Sequence, residues 1–360
     1  MRIGIIGAGQ LGRMLALAGY PLGSRFRFLD HSRDAPGAQV GEIVLGSFDD
    51  AECLSKLAGS VDLMTFDVEN VPAELLHVIA DAVAFLPPVP ALEAAQDRRS
   101  EKQLFADLGI PTPRWRAGDS LIELQEAQKE IGLPAILKTR RLGYDGRGQA
   151  VLRTSDDLTA AWDKFDGAAL ILEQFLDFER ELSIIGARST TGETACYQLT
   201  ENVHREGILR YSLAPYVSSR LQSQAEDYLQ RLFDRFDYAG VLTIEFFLVG
   251  GELLANEIAP RVHNSGHWTI EGAVTSQFEN HIRAIRGLPL GDTTTLGHAA
   301  MLNFLGALPP LEPVLSIRGA HYHDYGKTPR PMRKLGHCTI TADSAAARDD
   351  ALARLKSLID

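Results

Sequence analysis

Asn256-Glu257-Ile258-Ala259-Pro260-Arg261-Val262-His263-Asn264-Ser265-Gly266-His267 gathers a carboxylate, two amides, an arginine, two histidines and a serine into one short segment. The run before it, Gly251-Glu252-Leu253-Leu254-Ala255, predicts a short buried strand. Pro260 lacks an N–H and breaks that strand, so the polar groups are expected at its end and on the following loop. Loops at strand ends are where α/β enzymes place chemistry. The preceding apolar run, Val241-Leu242-Thr243-Ile244-Glu245-Phe246-Phe247-Leu248, carries a second carboxylate. A charge inside such a run is costly to bury alone. Glu245 and Glu257 on adjacent strands can share a hard cation such as Mg²⁺, with phosphates and waters as the other ligands. The alternative is that each acid pairs with a nearby arginine.

Upstream, Leu133-Pro134-Ala135-Ile136-Leu137-Lys138 predicts a strand, and Ala150 to Arg153 another. Between them lies Gly143-Tyr144-Asp145-Gly146-Arg147-Gly148-Gln149. Strand, glycine loop, strand is neither a P-loop nor a dinucleotide turn. It predicts a hairpin flap over phosphates, with Lys138 as a point charge beside it; a mobile surface hairpin is the competing reading. The next apolar strand, residues 168–176, ends in Glu173-Gln174-Phe175-Leu176, a place to hydrogen-bond an adenine edge and ribose. Glu179 and Glu181, two apart on the strand after it, share one face. Asn202 to Leu209, which includes His204, reads as a hairpin turn.

At the N-terminus, strand Arg2–Ile6 leads into Gly7-Ala8-Gly9-Gln10-Leu11-Gly12, a helix, and a strand ending at Asp30. This satisfies the dinucleotide fingerprint, including its acid. The physics requires only an anion at a helix N-terminus, so an NAD(P)-dependent oxidoreductase and a binder of some other phosphate both remain open. The loop after strand Val61–Phe66 offers Glu69, either a contact to a polar substrate or a capping acid. Arg98, on a helical stretch from Ala91 to Leu108, could reach a phosphate or be a solvated charge. Near the C-terminus Lys327, Arg330, Arg333 and Lys334 fall within eight residues of an otherwise acidic chain. That suits a phosphate or carboxylate, or a solvated turn.

The chain has 360 residues and a net charge of -11, with pI near 5.4. That balance argues against a general nucleic-acid or anionic-membrane binder. Three widely spaced cysteines lack metal-ligand spacing and read as reduced thiols of a cytoplasmic protein. No signal peptide or membrane-spanning run is expected. The alternation predicts an α/β protein, α+β overall. Its parts are an open parallel domain over residues 1–98, a central domain over 99–290 with a flap subdomain near 133–176, and a small α+β domain over 291–360.

Several of these segments agree with one family. Gly9-Gln10-Leu11-Gly12-Arg13-Met14, Glu69-Asn70-Val71-Pro72, Asp97-Arg98 with Lys102-Gln103-Leu104-Phe105, Gly143 to Gln149, Asn256 to Trp268 and Arg333-Lys334-Leu335-Gly336-His337 resemble the carboxyaminoimidazole ribonucleotide synthetases. These are ATP-grasp enzymes of purine biosynthesis. The resemblance implies ATP- and bicarbonate-dependent carboxylation of 5-aminoimidazole ribonucleotide through carboxyphosphate. Another ATP-grasp carboxylate–amine ligase is the alternative. It implies Mg²⁺, or Mn²⁺ in its place, on Glu245 and Glu257, with Asn256 beside them. It puts ATP against Arg98, Lys138, the flap Gly143–Gln149, Glu173–Leu176, Glu181 and His204. Arg261, His263, Asn264 and Ser265 would place bicarbonate and the reacting amine. The ribonucleotide would meet Gln10, Glu69, Tyr144, Asp145, Arg147, Lys327 and Arg333. A homodimer and hand-over of product to a mutase are further implications.

Overall fold

The structure is a computed structural model and describes residues 1–143 and 148–359. Five parallel strands, β1 (Arg2–Ile6), β2 (Arg25–Asp30), β3 (Glu42–Leu45), β4 (Leu63–Phe66) and β5 (Ala84–Phe85), form an open sheet in the order β3-β2-β1-β4-β5. Helices α1 (Gln10–Gly19), α2 (Ala51–Ala58) and α3 (Ala73–Ala82) connect them. Their apolar residues face the sheet because parallel strands must be covered on both sides. The strand order reverses between β1 and β4, so the loops after these two strands open a crevice, the usual ligand position in such sheets.

The helical stretch expected from Ala91 to Leu108 is two helices, α4 (Val89–Gln96) and α5 (Arg98–Asp107), broken at Asp97. Asp97 leaves helical geometry and its carboxylate accepts from the Arg99 N–H at 2.9 Å, capping α5. A four-stranded antiparallel sheet follows, in the order β6 (Trp115–Gly118), β9 (Leu170–Gln174), β7 (Ala135–Thr139), β8 (Gln149–Leu152). It is backed by α6 (Leu121–Ile131) and α7 (Ser155–Phe165), whose Leu124, Ile131, Leu158 and Ala161 pack on Leu137, Leu152 and Leu170.

The largest sheet begins at an edge with β15 (Glu252–Ala259). It continues through β14 (Gly240–Val249), β10 (Arg180–Arg188), β12 (Thr200–Arg205), β13 (Ile208–Ala214), β16 (His298–Leu305), β18 (Lys334–Ala342) and β17 (Ala320–Asp324); β11 (Thr194–Cys196) pairs with β10. Helix α8 (Ser219–Phe236) starts at a Ser218 cap and lays Leu221, Ala225, Leu229, Leu232 and Phe233 on this sheet. Each buried leucine there contributes about 1.5–3 kcal/mol. Short α9 (Thr269–Gly272), α10 (Gln277–Ile285), α11 (Leu311–Leu315) and α12 (Ala345–Lys356) complete the chain. The C-terminal strands extend the central sheet through the β13–β16 pairing while keeping an apolar cluster of their own.

Two boundaries differ from the sequence reading in ways that matter. Strand β15 does not stop at Ala255 but runs to Ala259, so Asn256 and Glu257 lie within it and not on a loop. The strand survives this polar interruption because Glu257 faces a cleft, while Leu253, Ala255, Ile258 and Ala259 carry the burial. Glu179 sits just outside β10, where its carboxylate accepts the Gly251 N–H at 3.2 Å, so it is not a residue of the strand that carries Glu181.

Candidate active site

Glu245 and Glu257 are direct register partners on antiparallel β14 and β15, next to an irregularity at Phe246 that shifts the pairing by one residue. Direct partners bring side chains into contact on one face, where like charges repel. Each acid meets a different counter-group: Arg98 Nη1 is 3.0 Å from Glu257 Oε2, and His263 Nε2 is 3.2 Å from Glu245 Oε1. Burial pushes Glu257 up, but Arg98, with Lys138 and Lys102, together outweigh that and hold it below the usual carboxylate range. Burial, then the charge of Glu257, pushes Glu245 up to about 7. Such a pair favours one negative charge until a cation arrives. The amide oxygen of neighbouring Asn256 is buried without a hydrogen-bond partner. Two facing carboxylates and an orphan oxygen fit a hard divalent ion that takes its remaining ligands from phosphate and water. Among the described residues no three His, Cys, Asp or Glu side chains cluster as a self-sufficient metal site.

Helix α5 holds the acid-bearing edge strand β15 in place. β15 is a sheet edge, and α5 side chains satisfy its outward backbone groups. Glu101 Oε1 accepts the Ile258 N–H at 2.6 Å, and Lys102 Nζ donates to the Asn256 carbonyl at 2.7 Å. Both are buried, on either side of Glu257. Burial, followed by the Glu257 charge, raises Glu101 to about 8. Arg98, Glu101 and Lys102 occupy positions i, i+3 and i+4, one helix face. That spacing was the available signal for Glu101 and Lys102, which the sequence reading did not select. It also settles Arg98, which lies against Glu257 and is not a solvated charge.

One wall of the cleft is built from the four-stranded sheet. Lys138 Nζ on β7 donates to Glu173 Oε2 on β9 at 2.8 Å, and Lys102 lies 3.8 Å from the same oxygen. Burial would raise Glu173, but Lys102 and Lys138 bring it down to about 2. Gln174 meets Arg114 at 3.2 Å, and Phe175 and Leu176 are half-buried beyond it. Glu181 and His204, on β10 and β12, contact each other. Burial opposes protonation of His204, yet the Glu181 hydrogen bond together with the charges of Glu245 and Glu181 raises its pKa overall. Of the glycine loop, the described residues are Gly143, Gly148 and Gln149. Gly148 has φ +72, and a Cβ there would stand 2.5 Å from Thr139 Oγ1. Tyr144, Asp145, Gly146 and Arg147 lie outside the described residues. Arg140, missed by the sequence reading, forks onto Asp97 at 3.0 and 2.7 Å and ties the base of the flap to the start of α5.

The glycine turn after β1 carries its own anion. Asp67, at the end of β4, accepts from Gly12 N at 2.9 Å. A Cβ on Gly7, which has φ +93, would fall 1.7 Å from Asp67 Oδ1, and one on Gly9 3.1 Å from Oδ2. Asp30, the fingerprint acid, accepts from Ala8 N at 2.9 Å and so braces the turn. The space a pyrophosphate would need is filled by the protein's own carboxylate, and the oxidoreductase alternative is set aside on that ground. Beside this turn Glu69 Oε1 pairs with Arg261 Nε at 3.0 Å. Lys327, 317 residues along the chain, donates to Gln10 Oε1. Arg333 Nη1 donates to the Thr328 carbonyl at 3.0 Å, shaping the basic loop.

Between the two halves lie His263 to Ser265. Ser265 Oγ is 2.8 Å from His263 Nδ1. Asn264 exchanges amide hydrogen bonds with Asn303 on β16, at 3.1 and 2.8 Å, so its side chain anchors the turn to the C-terminal strands. The cleft therefore carries cations and a facing acid pair at one end, and Glu69, Arg261, Gln10 and Lys327 at the other.

Family models match the chain along its length: a ribonucleotide synthetase preATP-grasp domain over residues 1–96, an ATP-grasp domain over 103–278, and a phosphoribosylaminoimidazole carboxylase C-terminal domain over 299–351. The chain is 50% identical to the N5-carboxyaminoimidazole ribonucleotide synthase of Pseudomonas aeruginosa, over 100% of both chains. It superposes with a TM-score of 0.96 on the synthetase structure from Thermus thermophilus, at 52% identity and covering 99% of this chain and 98% of that one. The Aspergillus clavatus enzyme in complex with ADP and 5-aminoimidazole ribonucleotide matches with a TM-score of 0.91, at 31% identity over 100% of this chain and 97% of that one.

Proposed function

This chain belongs to the N5-carboxyaminoimidazole ribonucleotide synthases, ATP-dependent ligases of the ATP-grasp class in purine biosynthesis, and on that premise we propose which of its residues perform each part of the reaction. Bicarbonate attacks the γ-phosphate of ATP, releasing ADP and forming carboxyphosphate. The amine of 5-aminoimidazole ribonucleotide then attacks the carboxyl carbon, phosphate leaves, and the amine loses a proton. The observation that carries this reading is the directly paired Glu245 and Glu257, flanked by Arg98 and by the Arg261–Glu69 and His263 groups.

Arg98 and Lys138 neutralise the phosphates, and Glu173 to Leu176 with Glu181 receive the adenosine end. A Mg²⁺ ion held by Glu245 and Glu257 would spread the charge that builds during phosphoryl transfer. Arg261 and His263 orient bicarbonate beside the γ-phosphate. Positioning matters here because bicarbonate is a weak nucleophile and carboxyphosphate is short-lived in water. Gln10, Glu69 and Lys327 hold the ribonucleotide with its amine toward Arg261. A helix long and apolar enough to cross a membrane is absent among the described residues.

The test is ADP release with Mg²⁺, measured with and without 5-aminoimidazole ribonucleotide and bicarbonate. Stimulation by both together is expected. Turnover indifferent to the ribonucleotide, or equal with formate or an amino acid, would replace this reading with that of a sister ligase.

A further inference from the structure

Of the segment Gly9-Gln10-Leu11-Gly12-Arg13-Met14, the reaction scheme uses Gln10 and leaves Arg13 without a part. Gln10 and Arg13 stand three apart on α1 and so share one helix face. Both reach the same distant stretch of chain. Lys327 donates to Gln10 Oε1. Arg13 Nη1 donates to the carbonyl oxygen of Asp324, at the end of β17, at 3.1 Å and across 311 residues. Through Nε, Arg13 also donates to Gln39 Oε1 at 3.0 Å. One planar guanidinium therefore ties a side chain of the N-terminal domain to the backbone just ahead of Lys327.

Gln39 completes the seat. It ends a short turn, Pro36–Gln39, that rests on the first glycine turn: the Gly37 N–H donates to the Ala8 carbonyl at 2.8 Å. Gly326 lies against the Gln39 amide, where a Cβ would fall 2.4 Å from Nε2. Its φ of +71 is a second reason for a glycine. From the other side the C-terminal strands hold Tyr325. Its ring is buried, its hydroxyl lies 2.8 Å from His337 Nδ1, and its N–H donates to the Leu335 carbonyl at 2.9 Å. Residues 324–326 are thus gripped from both domains, and Lys327 is the next residue. Its ammonium lies 5.8 Å from the centroid of the Tyr325 ring. A lysine carries its charge on a flexible stem, so the seat of its backbone decides where that charge can go.

We propose that Arg13 and Gln39 are positioning residues that seat the Asp324–Gly326 turn on the N-terminal domain and so set Lys327 opposite Gln10. Arg13 spends two of its N–H groups on the protein itself and acts on the ribonucleotide through Lys327. Affinity for that substrate then depends on how firmly the C-terminal turn is docked, and not only on the groups that touch it. The docking follows from the contacts. Its meaning for turnover rests on the reading of Lys327 given above.

The first measurement needs no substrate. Hydrogen–deuterium exchange of the free full-length enzyme is followed by mass spectrometry on peptides covering residues 324–334. Exchange there should quicken about three- to tenfold in Arg13→Met and in Gln39→Leu, with peptides of α12 unchanged. The second measurement is steady-state kinetics. Each variant should raise KM for 5-aminoimidazole ribonucleotide about three- to tenfold, the worth of one or two exposed hydrogen bonds, with kcat and KM for ATP constant. Gln39→Glu keeps an acceptor for Arg13 and should hold the wild-type KM within about twofold. In the Lys327→Ala enzyme, Arg13→Met should add less than about twofold, because its effect passes through that lysine. Unchanged exchange in both variants would overturn the proposal. So would an Arg13→Met effect on KM that multiplies in full with that of Lys327→Ala, the mark of a direct contact to substrate. Faster exchange with the ribonucleotide KM unaltered, in Lys327→Ala as well, would uphold the docking and overturn the reading of Lys327.

Discussion

The Asp67 carboxylate accepts the Gly12 backbone N–H at 2.9 Å, inside a glycine turn whose spacing would otherwise suit a bound phosphate. An internal anion at the switch point between β1 and β4 turns a cofactor site into a structural joint. It leaves Gln10, at the mouth of the turn, to face Lys327.

Burial holds Asp67 at about 6, against 3.8 for a free side chain. A folded-state pKa above the unfolded one means that the native protein binds the proton more tightly between pH 4 and 6. Stability contributed by this group is therefore present below pH 4 and falls by about 3 kcal/mol as pH rises through that window. Asp67→Asn should lose this pH dependence and be at least as stable as wild type at pH 7.5. Urea unfolding of both proteins at pH 4, 5, 6 and 7.5 provides the difference; parallel curves would refute it.

Glu173 behaves in the opposite sense. Lys102 and Lys138 hold it near 2, against 4.5, so its stabilising contribution is complete above pH 4.5. About 3 kcal/mol of it is lost as pH falls through 2. Glu173→Gln should remove that acid-labile component and weaken ATP binding. Acid titration followed by fluorescence, together with ATP calorimetry at pH 7.5, tests both parts.

Lys102→Met should destabilise the protein by about 3–5 kcal/mol, because it strips a buried partner from Glu173 and from the Asn256 carbonyl. Chemical denaturation measures this directly. A loss below about 1 kcal/mol would mean that the edge of β15 does not depend on α5.

Glu257→Gln should cut turnover at least about a hundredfold, since one of the two carboxylates proposed to hold Mg²⁺ is gone. Circular dichroism should show an intact fold, and Mn²⁺ binding in the presence of ADP, followed by electron paramagnetic resonance, should weaken. Unchanged Mn²⁺ affinity would remove Glu257 from the metal site.

Lys327→Ala should chiefly raise KM for the ribonucleotide, about tenfold or more for one lost charge-assisted contact, with KM for ATP nearly constant. A change confined to ATP would relocate the basic loop to the other end of the cleft.

The candidate site residues stood out in the chain because their types are improbable where they stand. Glu245 interrupts an apolar strand, Asn256 to His267 crowds polar groups behind another, and Gly143 to Gln149 has too many glycines for a regular element. Local alternation was enough for the parallel N-terminal sheet and for the strand character of β14. It misjudged the end of β15, since Pro260 marks where a strand must stop and not where its burial does. Glu101 and Lys102 were passed over because charges on a polar helix look solvated until the sheet edge they serve is known.

What the sequence by itself determined was the inventory: a glycine turn shaped for an anion, two acids on apolar strands, and a cationic loop near the end of an acidic chain. Only the tertiary structure decided the pairings. It put Asp67 into the turn, Lys327 against Gln10 across 317 residues, and Arg98 against Glu257. Periodicity along a chain specifies which face a side chain presents. Which partner that face meets, and which way a proton points between them, depends on strand order and register set by the packing of the whole molecule.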